Sequence, residues 1–355
     1  MKIAIVTDTH FGVRNDNRII ADHINNFFDE QFFPYIDTMG IDHIIHLGDV
    51  CDRRKYINFV TGSQLEEHLI KPIHNRGINT DMIIGNHDCF YKNTNEINSM
   101  RQLYGHSFYN FNCYWEKPVE KSYAGLKVLL VPWICDDNYE VTMKAIEETD
   151  AQILMGHFEI QGFEMYRGAI NHHGLSKDIF GKFDMVLSGH FHHKSTHSNI
   201  SYLGSPYQMT WSDYNDPRGF HILDTETREL EFIANPCHIF HKLWYDDTTM
   251  SVNDITDLTF EKELTNSYVK VIVKEKNNPY LFDLWMNKLI EMGCADIKTV
   301  EDHMNLDIVD EDNLIDEAED TLTILHKYVD SLEIRNHKDK VDNTVKSLYQ
   351  EAMNL

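Results

Sequence analysis

Residues 80–88, Thr-Asp-Met-Ile-Ile-Gly-Asn-His-Asp, are a short apolar run followed by a glycine and three side chains that can bind metal. The run Thr80–Ile84 has the length and apolar content of a buried strand. Glycine lets the backbone turn sharply off such a strand, so Asn86, His87 and Asp88 are predicted to project from its carboxyl end. One such segment is weak evidence for a site when taken alone.

Four other clusters follow predicted strands in the same way. The strands are Lys2–Val6, His43–Leu47, Gln152–Met155 and Asp184–Leu187, and Leu126–Val131 is predicted as a further strand. The clusters that follow them are Asp8-Thr9-His10, Gly48-Asp49-Val50-Cys51-Asp52, Gly156-His157 and Gly189-His190-Phe191-His192. Amphipathic stretches separate the strands, and Ile19, Ile20, Ile24, Phe27, Phe28 and Phe32 recur near helical spacing. This alternation predicts an α/β sheet whose carboxyl edge carries the site.

The residue types in these clusters predict a metal site. A lone histidine is usually a surface or core residue without a role in a site. Five clusters of potential metal ligands at strand ends, however, are not expected from a purely structural role. Carboxylates, an amide oxygen and imidazoles together suit manganese, iron or zinc better than calcium. Two such ions roughly 3.5–4 Å apart, bridged by one carboxylate, can drive phosphoryl chemistry.

The rest of the chain predicts further strands, a small α/β unit and two terminal helices. Hairpin strands are predicted at Ser201–Gly204, Phe220–Leu223 and Leu230–Ile233. The small unit has a strand at Tyr268–Lys274, a helix at Pro279–Met292 and a strand near Ala295–Val300. The apolar faces of the two terminal helices are Leu322, Leu325, Val329 and Leu332, then Val341, Val345, Leu348 and Ala352.

Charge and cysteine content bound the function classes. The net charge of −25 argues against nucleic acid, since Lys and Arg normally supply DNA affinity. However, residues 246–355 hold 25 acidic against 11 basic residues, so the acidity is strongest towards the C-terminus. The six cysteines form no Cys-x-x-Cys pair, which predicts reduced thiols. No signal peptide or membrane span is expected, so we predict a soluble, cytoplasmic protein without membrane contact.

The five clusters, in their order, resemble the calcineurin-like metallophosphoesterases. Within that family the chain resembles the SbcD-type recombination nuclease subunits, closest to a subgroup from T-even-like phages. Asp216-Pro217-Arg218-Gly219-Phe220 and the two terminal helices also look like that subgroup. The resemblance implies an α/β fold, a two-sheet metallophosphoesterase sandwich flanked by helices, with a small α/β capping domain and a C-terminal helical hairpin.

The resemblance also implies individual roles for the site residues. One ion would be held by Asp8, His10, Asp49 and His192, and the other by Asp49, Asn86, His157 and His190. The ions would be divalent, with manganese expected and magnesium as the alternative. His87 would contact the phosphate and protonate the leaving oxygen, and Asp88 would orient His87.

Three features near the motifs leave alternatives open. Asp52 stands where archaeal and eukaryotic relatives have histidine, and it either caps a turn or takes part in catalysis. Basic residues near the motifs either line a phosphate-binding rim or are ordinary loop charge: Arg14, Arg53, Arg54, Lys55, Lys92 and Lys194. Phe90 and Tyr91 either stack on an unpaired base or pack beneath the site, and packing is favoured.

The implied function is a metal-dependent DNA nuclease for recombination and break processing. It would combine 3′–5′ exonuclease activity on double-stranded DNA with single-strand endonuclease activity. Residues 1–244 would be the nuclease domain, 245–312 a capping domain that recognises DNA, and 313–355 a helical tail for partner binding. The implied partners are DNA and an SbcC-type coiled-coil ATPase that binds Leu322, Leu325, Val329, Leu332, Val341, Val345 and Leu348. A homodimer within a heterotetramer is implied, in the host cytoplasm if a phage encodes the chain.

Two rival functions are weaker on the same residues. A protein phosphatase or small-molecule phosphodiesterase would share Gly48-Asp49-Val50-Cys51-Asp52-Arg53, but Arg54 and Asp88 stand where phosphatases have Gly and Glu. A non-catalytic scaffold would be expected to have lost several ligands or His87, and this chain keeps them all. No phosphate-binding Gly-x-x-x-x-Gly-Lys-Ser/Thr loop occurs, so ATP hydrolysis is expected of the partner.

Overall fold

A computed structural model describes residues 1–105, 111–166, 169–256, 258, 264–301, 341 and 344. The chain divides into two compact units, Met1–His303 and Met304–Leu355, and all the numbered strands and helices lie in the first. The predicted helical tail of residues 313–355 lies outside the described residues except for Val341 and Thr344. The partner-binding residues predicted there, other than Val341, are therefore outside them as well.

The strands are spread along the whole of the first unit. In chain order they are β1 Lys2–Val6, β2 His43–His46, β3 Asn79–Ile83, β4 Phe111–Tyr114, β5 Val119–Tyr123, β6 Leu126–Val131, β7 Ile153–His157, β8 Glu164–Tyr166, β9 Ala169–Ile170, β10 Met185–Gly189, β11 Ser195–His197, β12 Ile200–Tyr202, β13 Gly219–Asp224, β14 Leu230–Ala234, β15 Phe240–Asp246, β16 Tyr268–Glu275 and β17 Asp296–Glu301.

The helices lie mostly in the first third of the chain. They are α1 Val13–Asp16, α2 Arg18–Asn26, α3 Phe33–Met39, α4 Phe59–Leu65, α5 Lys71–Asn75, α6 Ser99–Tyr104, α7 Tyr139–Glu148, α8 Val252–Thr256 and α9 Pro279–Glu291. π-Helical segments join α2 to α3 at Phe27–Phe32 and α4 to α5 at Glu66–Ile70. Short 3₁₀ turns span Lys177–Phe180 and Trp211–Asp213.

Two six-stranded sheets form the body of the first unit. Their strand orders are β14-β13-β1-β2-β3-β4 and β11-β12-β10-β7-β6-β5. Alternate residues of β1, such as Ile3 and Ile5, are fully buried in one cluster with Val128 and Ile153 of the other sheet. This packing of two apolar sheet faces confirms the predicted α/β two-sheet sandwich.

A second apolar layer covers the outer face of the first sheet. The predicted helix around Phe27, Phe28 and Phe32 is confirmed, and all three side chains are buried there. Its π-helical segment adds one residue to the turn, which the sequence spacing did not predict. The helix therefore keeps its aromatic face on the sheet across the whole span from α2 to α3.

Strand direction brings the predicted clusters to one edge. β1, β2 and β3 pair in parallel, and so do β7 and β10 of the other sheet. Parallel strands present their carboxyl ends on the same side, where open α/β sheets place their sites. The strands β7 and β10 run two residues further than predicted, so that His157 and Gly189 are their last residues.

A small parallel sheet follows the sandwich, in the order β15-β16-β17. The predicted strand, helix and strand of this region are confirmed as β16, α9 and β17, and α9 buries Leu281, Trp285 and Leu289 against the sheet. Strand β15 begins at Phe240 and was not predicted. No helix among the residues described has the length and apolarity to cross a membrane.

Candidate metal centre

The ligand segments leave their strands through strained backbone. Asp8, Asp49 and His190 have positive φ angles of 53°, 54° and 92°. Such left-handed conformations are unusual for residues other than glycine and cost about 1–3 kcal/mol each, so they persist only where the surroundings enforce them. His10 also has a positive φ angle, of 41°, so four of the seven predicted ligands lie in strained backbone at this edge of the sheets.

Two glycines allow neighbouring ligand loops to touch. A Cβ atom on Gly48 would lie 2.5 Å from the backbone nitrogen of Gly85, and one on Gly85 would lie 2.1 Å from Asp49 Oδ1. Neither position has room for a larger residue. The glycines were predicted to turn the chain off its strands, and they also permit this close approach.

Asp8, His10 and His192 form one group of potential ligands, with one atom of each lying within 4.8 Å of the others. His192 Nε2 lies 3.0 Å from His10 Nε2. His10 Nε2 in turn lies 4.0 Å from Asp8 Oδ1. Two imidazole nitrogens at hydrogen-bond distance attract a cation between them, because each offers a lone pair when neutral.

Asp49, His157 and His190 form a second group by the same criterion. Asn86 Oδ1 joins it, at 3.0 Å from His157 Nε2 and 2.9 Å from His190 Nδ1. His157 Nδ1 lies 2.8 Å from the Leu47 carbonyl oxygen, so it donates its proton there and turns Nε2 towards the group. This is the arrangement by which a backbone carbonyl commonly orients a metal-binding histidine.

Asp49 connects the two groups. Its Oδ2 lies 3.2 Å from His157 Nε2 in the second group and 3.7 Å from His10 Nε2 in the first. Its Oδ1 accepts a hydrogen bond of 2.8 Å from the backbone nitrogen of His87. The structure thus brings together all seven predicted ligands, with Asp49 between the two groups, and its predicted bridging role stays a prediction.

The titration behaviour of these groups is strongly perturbed. Burial lowers the pKa of His10, but contact with Asp52 and the nearby carboxylates outweigh it and raise the pKa to about 10. Burial also lowers the pKa of His157, but the adjacent Asp49 carboxylate outweighs burial and raises the pKa to about 9. Burial lowers the pKa of His190 to about 3. Conflicting shifts of this size among buried neighbours are typical of functional sites.

The donor set fits divalent metal ions. Asp8 and Asp49 are fully buried, yet no lysine or arginine of the described residues pairs with either carboxylate. Buried carboxylates need a compensating cation. Among the described residues the Thr7 hydroxyl donates to Asp8, and histidines are the side chains near the two carboxylates that can carry positive charge. The high pKa values of His10 and His157 express the same demand for positive charge, which two divalent ions would meet.

His87 lies beside the ligands but is held differently. Its Nδ1 lies 2.5 Å from the carbonyl oxygen of Asp52, and its ring packs edge-on to His10 at 4.8 Å between centroids. Its side chain also comes within reach of His10 and Asp49 as a potential ligand group. The geometry therefore allows either a ligand or an acid, and the role predicted for His87 stays a prediction.

The hydrogen bonds that the Asp88 carboxylate accepts do not come from the His87 ring, and the orienting role predicted for Asp88 stays a prediction. Its carboxylate instead accepts hydrogen bonds of 2.8–3.1 Å from the backbone nitrogens of Asp49, Val50, Cys51 and Gly85, and one of 3.1 Å from Ser99 Oγ. A short carboxylate can collect convergent N–H groups more readily than it can reach back to an adjacent ring. Asp88 thus ties the Asp49 loop to its own.

Asp52 contacts two histidines of the site and can orient both rings. Its side-chain Oδ1 lies 3.3 Å from His10 Nδ1, while its carbonyl oxygen faces His87 Nδ1. A carboxylate on the outer nitrogen of a ligand histidine orients the ring and raises its basicity. Of the two alternatives left open for Asp52, the structure therefore favours a part in the site.

Two supporting residues were not predicted. His46 Nδ1 accepts from the Gly48 nitrogen at 3.2 Å, and its Nε2 lies 3.1 Å from Thr9 Oγ1, so it links the first two ligand loops. Arg218 is buried and donates to the carbonyl oxygen of His192, and it also pairs with Asp213 at 2.6 Å and with Asp216 at 2.9 Å. Arg218 belongs to a segment noted only for its family resemblance.

The residues of the predicted basic rim differ in exposure and in their contacts. Arg14, Lys55 and Lys92 are exposed. Three others contact the protein as follows: Arg53 pairs with Asp16 at 2.6 Å, Arg54 Nε donates to the Cys89 carbonyl at 3.0 Å, and Lys194 Nζ lies 4.6 Å from the Phe232 ring centroid. A role for any of them in substrate binding stays a prediction.

Comparison with known proteins gives consistent matches. The sequence model of the calcineurin-like phosphoesterases matches residues 1–194, a span that contains all seven potential ligands. Exonuclease subunit 1 of Enterobacteria phage T4 is 30% identical over 357 residues, covering 100% of this chain and 98% of that protein. A protein of Staphylococcus epidermidis that is named as part of the SbcCD nuclease is 24% identical, covering 65% of this chain and 67% of that protein. A solved archaeal phosphodiesterase covers 66% of this chain and 100% of its own at 14% identity, with a TM-score of 0.33.

Proposed function

The chain belongs to the calcineurin-like phosphoesterase family, and within that family we propose that it is a two-metal DNA nuclease that hydrolyses phosphodiester bonds. The observation that carries the proposal is the position of Asp49, whose carboxylate reaches both ligand groups. The substrate class is supported by the names of the relatives, one an exonuclease subunit and another a nuclease subunit.

The residues around Asp49 fit the needs of phosphodiester hydrolysis. When bound, two divalent ions supply positive charge for a phosphoryl group and make water a stronger acid. Asp8, His10 and His192 would hold one ion, and Asn86, His157 and His190 the other. Because Asp8, His10 and His157 are buried and packed against one another, the site would hold the substrate phosphate in a defined position.

His87 is proposed as the proton donor to the leaving oxygen. Its Nδ1 faces the Asp52 carbonyl, which orients the ring and leaves Nε2 for the substrate. A protonated imidazole can give a proton to an alkoxide leaving group. We propose manganese as the physiological metal, with magnesium as the alternative, because imidazole-rich sites prefer the softer ion.

Assembly with an ATPase is a further part of the proposal. The staphylococcal relatives are named as subunits of an SbcCD nuclease, which supports a coiled-coil ATPase partner of the SbcC type. The tail of residues 313–355 would bind that partner, residues 245–312 would contact DNA, and the nuclease would form a dimer within a heterotetramer. A location in the cytoplasm, the host's for a phage protein, accompanies this proposal.

A cleavage assay tests the function. The purified chain, stripped of metal and reloaded with Mn²⁺, is incubated with linear duplex DNA, single-stranded DNA and a phosphopeptide. We expect DNA cleavage with Mn²⁺ and none in chelator. Hydrolysis of the phosphopeptide without cleavage of any DNA would contradict the proposal and favour the phosphatase alternative.

A further inference from the structure

An apolar cavity is lined by residues of the Asp49 and Asp88 loops, and none of the seven predicted metal ligands lines it. Its volume is about 210 Å³, and its lining includes the apolar side chains of Ile57, Phe90 and Leu103. Tyr56, also in the lining, is 64% exposed, so the cavity opens to solvent.

The cavity wall is built on the same segments that carry the site. Ser99, in the lining, donates from Oγ to Asp88 at 3.1 Å, and the backbone nitrogen of Cys51, also in the lining, donates to the same carboxylate at 3.1 Å. Asp52, which faces both His10 and His87, is the residue between Cys51 and the lining residue Arg53. Asp88, which bonds to this wall, also accepts a hydrogen bond from the backbone nitrogen of Asp49, so the cavity wall is joined to the loop of the central ligand.

The polar groups of the lining suit a nucleotide. Arg54 Nε donates to the Cys89 carbonyl oxygen, and the two terminal nitrogens of Arg54 have no partner in the described part of the chain. Lys55 is exposed beside it, and the side-chain amide of Gln102, also exposed, offers both a donor and an acceptor. Cations next to an apolar cavity match a phosphate next to a flat ring.

From these features we propose that the cavity binds one unpaired nucleobase of the DNA strand whose phosphate lies at the metal centre. Its volume exceeds the roughly 150 Å³ of a cavity that holds benzene, which leaves room for a single base but not for a base pair. Phe90 provides the ring face against which the base packs, and stacking of this kind tolerates every base. This inference rests on the proposed nuclease function and adds a preference for unpaired over fully paired strands.

Binding of cleavage-resistant phosphorothioate strands in Mn²⁺ tests the proposal with the ions that would hold the phosphate in place. The probes are a single-stranded oligonucleotide that carries 2-aminopurine and a blunt duplex of the same sequence. We expect Phe90→Ala to weaken binding of the single strand about tenfold, because an aromatic stacking partner is lost, and to change duplex binding less than about twofold. The quenching of 2-aminopurine on binding should be lost in the same variant.

Two further variants make the result decisive. Phe59→Ala is the matched control, since Phe59 is 96% exposed and does not line the cavity, and it should bind both probes like the wild type. Leu103→Trp fills the cavity from a side chain that is 38% exposed, so it should fold and should lose single-strand affinity even if Phe90→Ala is unstable.

The outcomes separate this proposal from the function on which it rests. If the wild type cleaves DNA with Mn²⁺ but Phe90→Ala and Leu103→Trp bind the single strand as the wild type does, the proposed role of the cavity is overturned. The proposed nuclease function would still stand. Equal losses on single strand and duplex would also overturn it. A wild-type chain that neither binds nor cleaves DNA would overturn both.

Discussion

Two clusters built around buried carboxylates belong to the same six-stranded sheet. The negative charge of the carboxylate is compensated in a different way in each cluster. Asp81, inside β3, accepts hydrogen bonds from His43, Tyr114 and Tyr123 at 2.7–3.0 Å, with Lys121 at 3.3 Å. At the carboxyl edge, Asp49 is approached by histidines and a backbone nitrogen but by no permanent cation among the described residues. The protein itself compensates the charge of Asp81, whereas the charge of Asp49 calls for a bound cation.

The difference shows which feature of a buried acid indicates function. The hydrogen bonds of His43, Tyr123 and Tyr114 outweigh burial and hold the pKa of Asp81 below its usual range. Burial raises the pKa of Asp8, and the histidines near it do not reverse that shift. The histidines hold the pKa of Asp49 well below its usual range, as hydrogen bonds do for Asp81. The raised pKa of Asp8, and the lack of a lysine or arginine partner for either ligand carboxylate among the described residues, therefore distinguish the metal centre.

Removal of His87 should have the largest effect on activity. It should also show whether His87 acts as a proton donor or as a metal ligand at the carboxyl edge of the sheet. We expect His87→Ala to lower kcat by about 10²–10⁴-fold, because proton transfer to the leaving oxygen is lost, while Mn²⁺ binding is kept. His68→Ala, a surface histidine paired with Asp29, is the control and should retain full activity. Loss of Mn²⁺ in His87→Ala would show that His87 is a ligand.

Neutralising Asp81 should affect the fold and leave the site intact. We expect Asp81→Asn to lower the free energy of unfolding by about 3 kcal/mol, since it disrupts a buried charged network and leaves Lys121 without its partner. Activity per folded molecule should not change. The surface variant Asp37→Asn, which loses an exposed pair with Arg76, should cost less than about 1 kcal/mol in chemical denaturation.

The pH dependence of stability should identify the same residue. Because the folded-state pKa of Asp81 lies below its unfolded value of about 3.9, its contribution is complete above that value and is lost as pH falls towards the folded pKa. The stability difference between wild type and Asp81→Asn should therefore shrink as pH falls below about 4. A difference that stays constant down to pH 3 would assign the effect to packing.

Arg218 should matter to one metal site and not the other, with a smaller effect. Because its guanidinium holds the His192 carbonyl, we expect Arg218→Met to weaken one of the two Mn²⁺ sites by about 10–100-fold, as measured by calorimetry. Arg228→Met, at an exposed pair with Asp184, is the matched control. Equal weakening of both sites would point to general destabilisation instead of a local role at His192.

The smallest effect, and opposite in sign to that of Asp81→Asn, is expected of Asp8→Asn in metal-free protein. The raised pKa of Asp8 means that its ionised form costs stability at neutral pH, so a neutral amide should leave the metal-free chain unchanged or more stable by about 1 kcal/mol. Thermal unfolding in chelator measures this. A loss as large as that of Asp81→Asn would remove the distinction between the two clusters.

The sequence predicted the site-bearing strands because strong local signals coincide there. An apolar run, a glycine and a metal-binding side chain stand next to one another at β2 and β3. Weaker signals explain the omissions: β4 and β5 are edge strands with partly exposed, polar sequences such as Val-Glu-Lys-Ser-Tyr at Val119–Tyr123. Strands of this kind lack the apolar continuity on which the prediction relied.

Roles within the site were harder to predict than membership of it. Asp88 follows His87 directly, but a neighbour in sequence can point elsewhere, and its carboxylate is used by backbone nitrogens. His46 is hidden among apolar residues of β2, and Arg218 reaches His192 from 26 residues away. Such partners depend on tertiary packing, which local patterns do not encode.

Manganese stoichiometry, measured by equilibrium dialysis and elemental analysis, tests the central claim of a two-metal centre bridged by Asp49 most directly. We predict two Mn²⁺ ions per chain in the wild type, two in Asp81→Asn, and loss of tight binding at both sites in Asp49→Ala. A single ion in the wild type, or two retained in Asp49→Ala, would contradict the account.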